Sequence, residues 1–100
     1  MSSPASIIVR LPLVRLYIRR SITDYLWMAL QDAKAGETKE SRSCYGEGGK
    51  EACCEIEIEL TDLAVGLAAI RRTLVGFQVD PSTKIIQTRP VEAIFLVYEP

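Results

Sequence analysis

The cleanest alternation in the chain runs from Cys54 to Leu60. Cys54, Ile56, Ile58 and Leu60 fall on one side, and Glu55, Glu57 and Glu59 on the other. A period of two is what a strand with one buried and one solvated face produces. The pattern then changes at once. Thr61-Asp62 supplies a cap for a helix N-terminus, and Leu63, Leu67, Ile70, Leu74 and Phe77 recur at steps of four and three. That spacing predicts a helix with one apolar stripe. Arg71 and Arg72 suit its negative end, and Gly76 reads as its stop.

A second strand-then-helix pair precedes this one. Ile7 to Leu13 reads as a strand with Ile7, Val9, Leu11 and Leu13 inward and Ser6, Ile8, Arg10 and Pro12 outward. Pro12 cannot donate a ladder hydrogen bond, so it marks an end or a bulge. Val14 to Arg20 fits a continued strand, a loop or one helical turn. Ser21 to Ala35 predicts a helix: Ser21 and Asp24 form a capping-box-like pair, and Ile22, Leu26, Ala29, Leu30 and Ala33 make the inward stripe. Gly36 reads as its left-handed cap. Trp27 and Met28 lie partly off the stripe.

Glu37 to Lys50 is polar, with a short edge strand expected over Arg42 to Tyr45 and a hairpin turn at Gly46-Glu-Gly-Gly-Lys50. Asp80-Pro-Ser-Thr83 is a turn. Lys84 to Thr88 is a strand that Arg89-Pro90 breaks, and Ala93 to Glu99 is a returning strand. Ile94 to Tyr98 is apolar on both faces, which predicts cover on each side. The order is strand, helix, strand, strand, helix, strand, with one strand added. It predicts one α+β domain over residues 1–100, with four to five antiparallel strands and two helices on one face, in the ferredoxin-like or split βαβ topology. The first and third strands are then neighbours, and Arg10 stands near Glu55, Glu57 or Glu59.

Several stretches carry a resemblance. Cys54-Glu-Ile-Glu-Ile-Glu-Leu-Thr-Asp-Leu63, the helix to Leu74, the Pro81-Ser-Thr-Lys-Ile-Ile86 turn and strand, and the opening Ile7-Ile-Val-Arg-Leu-Pro-Leu13 resemble small bacterial proteins of ferredoxin-like type. The resemblance takes in about two-thirds of the chain. It rests on core and capping positions, so it implies the fold and brings no catalytic residue with it. One departure stands out: the family's glycine and proline after the second helix are replaced here by Phe77-Gln-Val-Asp-Pro81.

Composition narrows the function. With 12 basic and 13 acidic side chains the net charge is -1, short of the cationic surplus that nucleic-acid binding needs. Arg10, Arg15, Arg19 and Arg20 crowd the first fifth while Glu51, Glu55, Glu57 and Glu59 sit mid-chain, so neutralisation across the sheet is expected. The apolar run after the start is broken by Arg10, Pro12 and Arg15, unlike a signal peptide or a membrane span. Three cysteines, two adjacent, do not form a secreted disulfide framework, so a cytoplasmic setting is expected.

The chain contains no histidine. That removes the commonest general base, the Ser-His and Cys-His pairs and the commonest zinc ligand. Cys54 reads as a small buried hydrophobe, whereas Cys53 and Cys44 can meet across the hairpin. Their spacing is wrong for zinc, so neither metal nor cofactor is expected. The Glu55, Glu57, Glu59 row is able to hold a cation or do acid/base work, but it is also what a one-sided sheet looks like in sequence. Gly46 to Lys50 lacks the spacing of a phosphate loop.

Trp27, Met28, Tyr17, Tyr45, Phe95, Val97 and Tyr98 are too many large apolar residues for one side of a small sheet. Such a surplus points either to an interface, with another protein or with a second copy, or to a last hairpin that folds over and buries these residues itself. The leading expectation is a non-catalytic protein-binding module, such as a small inhibitor of toxin-immunity type. It would dock through Glu55, Glu57, Glu59 and Arg10, with Trp27 and Tyr98 as aromatic anchors. A dimeric small-molecule sensor is the alternative. A third is a histidine-free enzyme in which Glu57, Arg10 and Tyr98 meet.

Overall fold

The structure is a computed structural model describing residues 4–12, 15–45, 47–49 and 51–98. The chain runs β1 (Ala5–Pro12), α1 (Leu16–Ala33), β2 (Gly36–Tyr45), a 3₁₀ turn (Glu47–Gly49), β3 (Glu51–Leu60), α2 (Leu63–Gly76), β4 (Lys84–Arg89) and β5 (Ala93–Leu96). The strands form one antiparallel sheet in the order β2-β3-β1-β4-β5. This is the ferredoxin-like βαββαβ arrangement with a fifth strand added beside β4.

Register explains the core. Ile7 lies opposite Ile58, Val9 opposite Ile56, and Leu11 opposite Cys54, so the alternating residues of β1 and β3 form one apolar layer. Ile85 of β4 extends it. Ile22, Leu26 and Leu30 of α1 and Ala69, Ile70 and Leu74 of α2 close over this layer. Each fully buried Leu or Ile contributes about 1.5–3 kcal/mol relative to exposure. Asp62 caps α2 as expected, its carboxylate accepting the Val65 N–H at 3.1 Å.

Several boundaries differ from those the sequence pattern predicts. Helix α1 begins at Leu16, so Ser21 lies inside the helix and caps nothing. Arg15 is the cap residue and offers no side-chain hydrogen bond. The reason is packing: Ile18 joins Ile22, Leu26 and Leu30 at steps of four, and core contact outweighs a local capping signal. The left-handed residue after α1 is Lys34 (φ 52°) rather than Gly36. Gly36 instead opens β2 at a point where a Cβ would overlap the Glu59 carbonyl oxygen and lie 2.9 Å from Leu60 Cα. After α2 it is Gln78 (φ 54°) that turns left-handed.

Strand β2 is longer than the expected Arg42–Tyr45 segment and carries a bulge between Thr38 and Ser41. On its helix side it presents Thr38, Ser41 and Ser43, opposite Ile58, Ile56 and Cys54. No apolar alternation marks it, which is why the pattern misses its first half. Strand β5 corrects the expectation of cover on both faces. Val97 is buried and Phe95 half-buried beneath α2, where Arg71 Nε donates to the Leu96 carbonyl at 3.1 Å and its guanidinium lies 5.8 Å from the Phe95 ring. Ile94 and Leu96 point the other way and remain 63% and 47% exposed. Leu13, Val14, Gly46, Lys50 and Glu99, which belong to the predicted strands and turn, lie outside the described residues.

Candidate functional site

The sheet face turned away from the helices brings most of the candidate residues together. Three levels cross it. At the first, Glu37, Glu59 and Ser6 stand in register, with Arg89 lining the same shallow dent as Ser6 and Glu59. At the second, Glu57 pairs with Ile8, Ile8 with Ile86, and Ile86 with Ile94. At the third, Arg42, Glu55, Arg10, Lys84 and Leu96 succeed one another across all five strands.

Charge on this face is paired more thoroughly than the glutamate row suggests. Arg10 Nη2 lies 2.8 Å from Glu55, and Arg10 Nε donates to the same carboxylate at 2.9 Å. Arg42 Nε reaches the other Glu55 oxygen at 3.3 Å, while its Nη1 binds Glu57. Glu55 is only 9% exposed as a result. Glu59 accepts the Ser6 hydroxyl at 2.9 Å and stays exposed. Glu57 holds the Arg42 guanidinium above its ordinary pKa, first by hydrogen bonding and then by charge. Glu37 does the same for Lys39, 2.7 Å away. Glu55 is therefore a clamped structural carboxylate, while Glu57, Glu59 and Arg10 keep accessible atoms.

Cys44 and Cys53 stand directly opposite one another on this face, 5.1 Å apart at Cα, and are joined as a disulfide. Cys54 points the other way and is free and buried. Near it Arg19 reaches under α1, its Nη1 donating to Ser43 Oγ at 2.9 Å and lying 3.9 Å from the Cys54 sulfur.

The two aromatic candidates lie elsewhere. Trp27 is 48% exposed on α1. Tyr98 comes after β5 and donates its phenol to the Val79 carbonyl at 2.7 Å. Glu57 is engaged with Arg42, Arg10 with Glu55, and Tyr98 with Val79, so these contacts do not bring Glu57, Arg10 and Tyr98 together. Among the described residues no three acidic or cysteine side chains converge as metal ligands. An open groove of about 490 Å³ separates the helices, lined by Tyr25, Met28, Asp32, Arg72 and Phe77 among others. Tyr25 and Phe77 meet edge to face there at 5.5 Å.

Sequence reasoning missed Ile8, Ile86, Ile94 and Leu96 as one patch. A signal existed: Ile8 is an isoleucine at an outward position of an otherwise alternating strand. What sequence did not reveal is that β4 and β5 place three more apolar residues beside it.

No family model matches this chain, nor does any curated protein or solved structure. No helix among the described residues is long and apolar enough to cross a membrane.

Proposed function

We propose that this is a non-catalytic protein-binding module that docks through the sheet face opposite the helices. The observation that supports the reading is the patch formed by exposed Ile94 and Leu96 with half-buried Ile8 and Ile86, rimmed by Arg10, Glu57 and Lys84. An apolar centre with a charged rim is the anatomy of a protein interface. Of the six residues chosen from sequence, Arg10 and Glu57 belong to this rim, and Glu59 lies one level beyond it on the same face. Glu55 positions Arg10 and Arg42 from beneath it. Trp27 and Tyr98 stand apart from it.

Site-specific photo-cross-linking tests the reading. A photoreactive side chain at position 94 or 96, placed in the native host, is expected to yield a discrete protein adduct. The same group at Arg72, on α2, serves as the control. Adducts at 72 but none at 94 or 96 would refute docking by this face.

A further inference from the structure

The patch has a charge pattern that selects its own occupant. On one side of β1, strands β2 and β3 offer Glu37, Glu57 and Glu59 against Lys39 and Arg42, with Glu55 clamped between Arg10 and Arg42. On the other side, β4 offers Lys84 and Arg89, with no carboxylate on its outward face. The acidic half and the basic half flank a central strand that carries Ile8. We infer that the face pairs with a second copy of this chain about a two-fold axis running along β1, which names the partner of the surface proposed above and rests on that reading.

The operator fixes the geometry. A two-fold axis parallel to the strands keeps each residue at its own level and exchanges the two sides of β1. Glu59 of one copy then faces Arg89 of the other, Ile8 meets Ile8, Glu57 comes over Ile86, and Lys84 comes over the clamped Glu55. Arg10 would meet its own equivalent, but it leans onto Glu55 and is drawn off the axis. Arg42 comes over Leu96, where its aliphatic stem covers an otherwise exposed side chain. Two sheets stacked this way sit about 10 Å apart with strands within about 30° of each other. Five strands give a face roughly 24 Å across, on the order of 500–600 Å² in projection. That is the scale of the ~800 Å² of accessible surface each partner buries in a stable complex.

The test combines mass with charge exchange. Sedimentation equilibrium on the full chain is expected to give twice its 11.1 kDa mass at micromolar concentration. Ile86→Glu, with unchanged circular dichroism, is expected to give the single-chain mass. Glu59→Arg and Arg89→Glu are each expected to weaken self-association at least roughly tenfold. An equimolar mixture of those two variants is expected to recover a heterodimer, because every 59–89 contact across the axis is then between opposite charges. This readout separates contacts between copies from those within one chain.

A parent chain that stays monomeric up to roughly 100 µM overturns the pairing. So does a dimer whose two charge variants do not rescue each other when mixed. If the monomeric chain still cross-links a foreign protein from position 94, self-pairing falls and the docking reading stands. If it cross-links nothing from there, both fall.

Discussion

Gly66 offers a direct measure of how tightly the first turn of α2 sits on the sheet. It is buried, and a Cβ built on it would lie 2.5 Å from Leu60 Cδ2 and 2.9 Å from Leu60 Cδ1. Leu60 has little room to withdraw, because it is only 2% exposed within the core; the same Cδ2 lies 3.0 Å from where a Cβ on Gly36 would sit. One leucine methyl thus lies between two glycines from different elements. Gly66→Ala has two opposed effects. Alanine is the better helix former by about 0.8–1 kcal/mol. Forcing a methyl into this packed layer costs about 1–3 kcal/mol. The clash outweighs the propensity gain, for a net loss of up to about 2 kcal/mol. Urea unfolding monitored by circular dichroism resolves this, since Trp27 is too exposed to serve as an internal probe. In a Leu60→Ala background, itself about 2–5 kcal/mol less stable, the same Gly66→Ala change becomes stabilising by up to about 1 kcal/mol. Stabilisation by Gly66→Ala in the parent chain would show that Leu60 has room and refute the packing argument.

Three other perturbations probe the charge network, the disulfide and the turn before β4. Glu55→Ala leaves Arg10 and Arg42 without their shared carboxylate and is expected to cost about 1–2 kcal/mol in denaturant unfolding, the loss being limited because both arginines reach water. Replacing Cys44 and Cys53 together by serine opens a loop with a sequence separation of 9, and the chain-entropy relation gives a loss of about 2.5–3 kcal/mol, matched by adding reductant to the parent protein. Asp80 accepts the Ser82 N–H at 2.8 Å, and hydrogen bonding to Ser82 lowers its pKa. Its stabilising effect is therefore complete above the unfolded-state value of about 3.9 and fades as pH falls through the lower folded value. Carboxyl titration by NMR is expected to place Asp80 below an ordinary aspartate.

The parts of the fold legible in sequence are those where a periodic pattern and the buried face coincide. β3 and α2 are the clearest, because Cys54 to Leu60 alternates without error and Asp62 caps the helix directly after it. The N-terminus of α1 was hidden because Ser21 and Asp24 mimic a start, whereas the true start has only Arg15. β2 was half hidden because Thr38, Ser41 and Ser43 face the helices without being apolar. The docking patch was scattered over β1, β4 and β5, and residues 8, 86, 94 and 96 become neighbours only once strand order is known. That Arg10 stands beside the Glu55, Glu57, Glu59 row, by contrast, follows from the first and third strands adjoining, and the register selects Glu55.

The polar inner side of β2 has a consequence for how the molecule opens. Its hold on the rest comes from the ladder to β3, the Arg42 contacts and one covalent staple, with few apolar contacts beneath it. Its amides are therefore expected to exchange with solvent through a local excursion well below the global unfolding energy, while those of β1 exchange only when the whole domain comes apart. Reduction of the staple would bring that excursion closer to the ground state, and each one would bare the ladder edge of β3, a ready template for an intruding strand.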